Sequence, residues 1–476
     1  MRVCLICEGS YPYVAGGVSG WVQMLCSSMQ EVEFIIWSIA TTREEMSEYK
    51  YVLPENVKEV TTIYLGDTVF SGNNKKVRLS VEDTEVLRKL LRGKPEDIDW
   101  QEILGFLKSN KRKLVDILMS EAFYNICLEE YQESQSTENF KQYLWSFRGM
   151  YFSLMNPLVG EIPKADIYHS LSTGYAGILG SAASYIEDKP LILSEHGIYT
   201  REREEDIIRA DWVQGSFKEL WIRFFTKLSL ITYQQASVVT SLFEANKVLQ
   251  VELGCPEEKI QIIPNGVSVE EYTDLPCKNK LAPNKFNVAT ILRVVPIKDV
   301  KTMLMAFDIV QDKLPDAYLS ILGGYDESPE YFQECLQLVE ALQIKNVQFC
   351  GRVNIKEYLP EIDLLLLSSI SEGQPLAILE GMAAGKAFVS TNVGDCKCLL
   401  EGSKEDNLGR AGYIVPVMDS QVMANAILQC AKEPEKLKKM GEVGRKRVES
   451  YYRKEDFLDK YKDLYYRFGG EGEWQE

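Results

Sequence analysis

Short apolar runs alternate with segments of helical period almost throughout the chain. Such runs, spaced widely enough for a crossover helix, are the pattern of buried parallel strands in an α/β protein. In the first half they predict strands at residues 3–7, 33–38, 166–169, 191–195 and 237–240. Between about 80 and 160 the pattern changes to Leu, Lys, Glu and aromatic residues without a strand signal, which reads as a helical insertion. A second alternating set predicts strands at 286–292, 317–322, 347–349, 363–367 and 387–390, and a helical tail over 421–468.

A boundary between the two sets is expected after the turn Ile262-Ile263-Pro264-Asn265-Gly266-Val267. A polar tract with Pro276, Lys278, Asn279, Lys280, Pro283 and Asn284 follows it. At 476 residues the chain is too long for one ordinary core, and it divides into an expected first domain over 1–270, a second over 271–455 and a final helix over 456–476. Two α/β halves joined by a linker imply a cleft, with ligands at the carboxyl ends of the strands.

Charge narrows the range of partners. The 53 basic and 70 acidic residues leave a net charge of −17, which repels phosphate backbones and argues against general nucleic-acid binding. An anionic ligand then needs a local pocket of Arg, Lys and helix N-termini. No apolar stretch reaches membrane-spanning length, and the opening Met1-Arg2-Val3-Cys4-Leu5-Ile6-Cys7 reads as a buried strand rather than a signal segment. Eleven scattered cysteines suit reduced thiols, so the chain is expected in the cytoplasm, reaching the inner face of the membrane only through partners. Cys4 and Cys7 point to opposite faces of their strand, which argues against zinc.

Chemistry concentrates in four segments. The first is Ser371-Glu372-Gly373-Gln374-Pro375-Leu376-Ala377-Ile378-Leu379-Glu380, directly after a buried strand. Pro375 suits a helix's first turn, and free N–H groups around Gln374, Pro375, Leu376 and Ala377 would attract an anion. Glu372 before that helix and Glu380 within it can hold two hydroxyl-bearing ends of one ligand; a capped helix with two incidental glutamates is the alternative. The second is the loop from Arg293 to Lys298, where a planar fork and a point charge can converge on a diphosphate at the same sheet edge. Ordinary surface bases are the alternative there.

The third is the long loop after the first strand, where Gly16 and Gly17 let backbone approach a ligand before a helix begins near Ser19. It lacks the G-x-G-x-x-G fingerprint of hydride-transfer enzymes. The fourth is Ser194-Glu195-His196-Gly197-Ile198-Tyr199-Thr200-Arg201-Glu202-Arg203. His196 is one of only two histidines and suggests a cleft wall, whereas a structural role is favoured for His169. Arg201 and Arg203 either meet an anionic ligand or pair with the glutamates around them.

Together these residues resemble the retaining GT-B glycosyltransferases of family 4. Glu372 and Glu380 fit the family's E-x7-E stretch, Arg293 and Lys298 its Arg-x4-Lys pair, and Gly16–Gly17 its glycine-rich first loop. The opening Cys7-Glu8-Gly9-Ser10-Tyr11-Pro12-Tyr13, the His196 segment and Tyr143-Leu144-Trp145-Ser146-Phe147-Arg148 look more narrowly like the branch acting in Pel-type exopolysaccharide synthesis.

The resemblance implies an α/β GT-B fold: two Rossmann-like domains facing a cleft, the first with the helical insertion, and a C-terminal helix crossing back to it. It implies transfer of a hexose or N-acetylhexosamine from a UDP-sugar to a polysaccharide acceptor, without metal or other cofactor, and a membrane polysaccharide synthase complex as a partner. Arg293 and Lys298 would neutralise the leaving diphosphate, Glu380 bind the ribose, and Glu372 bind the donor sugar. His196 would line the sugar site, and backbone near Val353 would contact uracil. A non-catalytic scaffold of the same fold is the rival; phosphorylase-like or epimerase-like enzymes do not call for this motif pair.

Overall fold

Two parallel sheets, each buried between helices, organise the chain. The structure is a computed structural model, and it describes residues 1–43, 48–65, 77–110, 114–134, 139–210, 213, 215, 217–278, 281–282, 285–403 and 406–470. Of the expected boundary tract, Asn279, Lys280, Pro283 and Asn284 lie outside the described residues, as does 471–476 at the end of the last expected segment.

The first unit carries β1 (Arg2–Glu8), β2 (Glu33–Ala40), β3 (Val57–Tyr64), β4 (Ile167–Ser170), β5 (Leu191–Glu195), β6 (Val238–Ser241) and β7 (Ile260–Ile262). Their order is β3-β2-β1-β4-β5-β6-β7, every pair parallel. The strands legible in the sequence are the ones buried on both faces. β3, at the edge, was not expected: Lys58, Glu59, Thr61 and Thr62 interrupt its apolar run because one side meets solvent.

The expected insertion is helical among its described residues, with helices Val81–Arg92, Trp100–Asn110, Leu114–Leu118, Glu121–Glu133 and Phe140–Leu158. Ser80 accepts from Asp83 N and Ser120 from Phe123 N, so two of these helices begin on hydroxyl caps. Leu87, Phe123, Phe147 and Met155 join Ile6 and Trp37 of the sheet in one core. The insertion therefore shares the sheet's core rather than forming its own.

The second unit carries β8 (Phe286–Ile291), β9 (Ala317–Leu322), β10 (Val347–Gly351), β11 (Leu364–Leu367), β12 (Ala387–Thr391) and β13 (Gly412–Val415), ordered β10-β9-β8-β11-β12-β13 and parallel. The short edge strand β13 was not expected. The order turns around between β8 and β11, the switch point where loops diverge and leave room for a ligand.

The chain divides at Ile262/Ile263 rather than at 270/271. The reason is local: Asn265 N donates to Gln374 at 2.6 Å, and Val267 pairs with Arg453, so both residues belong to the second unit. The final helix, Lys454–Gly469, begins in the second unit and rejoins the first from Tyr461 rather than from 456. There Tyr461 bonds Ser194 at 2.9 Å and Thr240 at 3.0 Å, and Tyr465 bonds His169 Nδ1 at 2.7 Å. Three strands of the first sheet thus fix the helix by polar contacts inside a buried interface.

Candidate functional site

The loops that leave β8 and β11 bring two of the expected residues together. A single 3₁₀ turn, Pro296–Lys298, aims Lys298 at the loop after β11, where its Nζ meets Glu372 Oε1 at 2.5 Å. Ser369 Oγ donates to the same oxygen at 2.6 Å, and Ser368 Oγ donates to the Lys298 carbonyl at 2.8 Å. The pair is largely removed from water, with side chains 17% and 11% exposed, so its geometry is better defined than that of a surface ion pair.

Arg293 does not join it. Its guanidinium lies 2.7 and 2.6 Å from the two Glu327 oxygens, on an exposed arm of the loop. The convergence of Arg293 and Lys298 expected from their spacing is therefore not the arrangement here, because each cation has a nearer carboxylate. A diphosphate entering this edge competes with both carboxylates and can offer each cation a charge-assisted bond in exchange.

The helix after this loop runs Leu376–Ala383 and starts one residue later than expected: Pro375 is its cap, with ψ at 117°, not part of its first turn. The N–H groups of Leu376 and Ala377 fall in the first helical turn, where no intrahelical acceptor exists. Gln374 is buried and turned away from that end, bonding Asn265 and Asp395. Glu380 accepts from the Tyr272 hydroxyl, and burial pushes its carboxyl above the usual range. Val353 packs against the apolar cluster of this face, just beyond the Gly351 backbone at φ +70°. Tyr272, Asn265 and Asp395 gave no sequence signal, because each acts through a partner distant in the chain, and Ser369, only three residues from Glu372, belongs to no motif.

In the first unit, the loop after β1 leads into a helix at Gly17 rather than near Ser19. Gly16 has extended backbone, and a Cβ on either glycine would meet nothing within 4 Å. These glycines are not required by strain; they leave backbone uncovered. Glu8, at the end of β1, accepts from Ala176 N at 3.1 Å and from the Tyr199 hydroxyl at 2.9 Å, tying this loop to the two following ones.

His196 packs edge-on against Trp21 at 4.7 Å, and its Nε2 is buried without a hydrogen-bond partner among the described residues. Burial pushes its pKa down to about 4. Arg203 lies over the Tyr199 ring and pairs with Asp206, while Arg201 is exposed and has no ion pair with a described residue. His169 takes the structural role expected of it: Nδ1 and Nε2 bond Tyr465 and Ser194, and burial pushes its pKa down to about 3, with His196 adding to the effect.

These histidines make a pH prediction. The unfolded chain binds protons on them below about pH 6.5, whereas the folded chain stays neutral there until about 4 for His196 and about 3 for His169. Their contribution to stability is therefore lost as pH falls from 6.5 towards 4. Denaturant melts of His169→Gln across this range should show a shallower loss than the wild type, by up to one proton in slope.

The comparisons with known proteins bear on both units. Residues 1–258 match the family described as Domain of unknown function (DUF3492), and residues 273–447 match Glycosyl transferases group 1. The N-acetyl-alpha-D-glucosaminyl L-malate synthase of Bacillus anthracis is 30% identical over 240 residues, 49% of this chain and 60% of that protein. An N,N'-diacetylbacillosaminyl-diphospho-undecaprenol alpha-1,3-N-acetylgalactosaminyltransferase of Campylobacter jejuni is 30% identical over 40% of this chain and 51% of its own length. The matched region thus spans a little over half of each. Among solved structures, HepE of Anabaena with UDP and glucose has a TM-score of 0.61 at 14% identity, covering 98% of this chain and 99% of that one. Sucrose-phosphate synthase of Thermosynechococcus elongatus has a TM-score of 0.63 at 15% identity, covering 99% and 100%.

Proposed function

The chain belongs to the family described as Domain of unknown function (DUF3492), and from that premise we propose that it is a retaining glycosyltransferase using a UDP-sugar. Its fold is GT-B, two Rossmann-like parallel-sheet units. The single observation that carries the activity is the half-buried Lys298–Glu372 pair at the switch point of the second sheet, with Arg293 on the same loop.

In this reading the diphosphate takes Lys298 and Arg293 from their carboxylates, and the freed Glu372 accepts hydroxyls of the donor sugar. Glu380, held by Tyr272, receives the ribose, and backbone near Val353 receives uracil. The N–H groups of Leu376 and Ala377 add dipoles where negative charge develops on the leaving group. Those fixed cations and dipoles do the work that a divalent metal does elsewhere, so the reaction runs without one. The resemblance also assigns His196, Arg201 and Gly16–Gly17 to the donor; what they have to offer is a spare Nε2, an exposed charge and uncovered backbone.

As the resemblance to family 4 implies, the acceptor attacks the face the diphosphate leaves, and the departing phosphate takes its proton. The acceptor is a growing exopolysaccharide, and the finer reading is a PelF-like transferase that works beside a membrane synthase complex. No helix among the described residues is long and apolar enough to cross a membrane. Of the motifs behind the finer reading, Tyr143, Phe147 and Arg148 are buried in the insertion, where Arg148 Nε donates to the Leu118 carbonyl at 2.8 Å. That motif speaks for ancestry and packing, while the His196 segment carries whatever bears on substrate.

Calorimetric titration with UDP, GDP and ADP, without metal and then with magnesium, tests the reading. Metal-independent binding of UDP alone, at a Kd of about 1–100 μM and hence about 5.5–8 kcal/mol, is the expected result. Binding of another nucleotide would keep the transferase and discard the PelF-like reading; no binding would favour the scaffold.

A further inference from the structure

The loop carrying Glu372 is held from behind by groups that the proposed chemistry does not use. The turn after β12 packs directly on it. Asp395 N donates to the Gly373 carbonyl at 2.9 Å, and a Cβ on Gly394, whose φ is +50°, would stand 2.2 Å from the Gly373 oxygen and 2.3 Å from the Glu372 oxygen. Only glycine allows that approach. Asp395 Oδ2 accepts from Gln374 Nε2 at 2.7 Å. The other end of the same amide, Gln374 Oε1, accepts from Asn265 N at 2.6 Å, and Asn265 Nδ2 donates to the Gln374 carbonyl at 3.3 Å. All three residues are buried, between 3% and 5% exposed.

An ionised carboxylate can only accept, so it forces the NH2 of Gln374 towards itself and the carbonyl oxygen towards Asn265. We propose that Asp395 is a positioning residue: through the Gln374 amide its carboxylate fixes the loop that presents Glu372 to the donor. The proposal rests on the donor-site reading above. Asp395 itself is buried behind the loop and acts only through Gln374.

The environment makes this positioning sensitive to pH. Burial pushes the Asp395 carboxyl up to about 6, opposed by hydrogen bonds from Gln374 and the Cys398 thiol. The other titratable groups facing it are Tyr452, which follows the helix Pro434–Tyr451, and Cys396, which also feels Glu372. All are neutral near pH 6, since burial raises Cys396, Cys398 and Tyr452 alike. Asp395 is thus the group in this cluster that changes charge there. Once protonated it offers Gln374 only a neutral acceptor, so the charge-assisted bond that holds the amide becomes an ordinary, weaker one, while the Asn265 N–H still fixes which way the amide points.

Two readouts on the full chain test this. The first is hydrogen exchange of the peptide spanning residues 368–378, corrected for the intrinsic pH dependence of exchange. The second is UDP affinity between pH 5 and 8. In the wild type both loop protection and affinity should fall with a midpoint near pH 6; at pH 5 about one molecule in ten keeps the ionised carboxylate, so apparent affinity drops by up to about tenfold. The phosphate of UDP titrates in the same range, so the comparison is with Asp395→Asn, which sees the same ligand. That variant offers Gln374 only a neutral acceptor, so at every pH it should show the lower protection and affinity that the wild type reaches at pH 5, without the inflection. Asp395→Leu should lose both at every pH.

If Asp395→Asn keeps the wild-type pH profile of loop protection, or Asp395→Leu folds and keeps full protection, the proposal is wrong whatever UDP does. If protection falls and UDP affinity does not, Asp395 does not serve the donor site. A wild type that shows the exchange midpoint but binds no UDP would leave Asp395 in control of the loop and overturn the donor-site reading instead.

Discussion

Lys298→Ala lowers turnover by about 10²–10³, the scale for removing one preorganised donor from developing charge. The substitution also strands Glu372, whose Oε1 then keeps only Ser369 as a partner in this cluster. The double variant with Glu372→Gln should therefore lose much less than the two single variants summed, because the two side chains act as one unit. Steady-state UDP release from the preferred UDP-sugar, with a thermal melt of each variant, checks this. Wild-type turnover in folded Lys298→Ala would remove Lys298 from the site.

Tyr461→Ala destabilises the first unit by about 3–5 kcal/mol, the range for truncating a buried aromatic side chain. Its ring packs edge-on to Trp21 at 5.2 Å and lies over His169, while its hydroxyl bonds Ser194 and Thr240. The truncation removes packing and leaves those hydroxyls to satisfy each other. Tyr461→Phe keeps the packing and should cost about 1–1.5 kcal/mol, the net worth of the hydrogen bonds. Denaturant melts followed by tryptophan fluorescence measure both, since Trp21 sits against the altered ring. Equal losses for the two variants would mean that the hydroxyl rather than the packing anchors the helix.

The sequence made legible whatever is written locally. Buried parallel strands appear as mostly apolar runs, so β8, β9 and β11 were expected almost to the residue, whereas β3, β7 and β13 lie at sheet edges or are short and were missed or only partly seen. Spacing also placed Lys298 and Glu372 at one sheet edge, since both loops leave adjacent strands at the switch point. Spacing could not say that Arg293 would turn to Glu327, a choice made by a loop 34 residues further on. Nor could it find Tyr272 behind Glu380 or Asp395 behind Gln374, whose roles exist only after the turns around them have packed. The boundary was misplaced for the same reason: Asn265 and Val267 look like the end of the first half and are bonded to the second.

The most direct test of the central claim is UDP release by the purified full chain from UDP-glucose, UDP-galactose and their N-acetylated amines, without added metal. The account predicts release from at least one of them, in a chelator as in buffer, and its collapse in Lys298→Ala. Release from none, by a protein that is folded and binds no UDP, would contradict it.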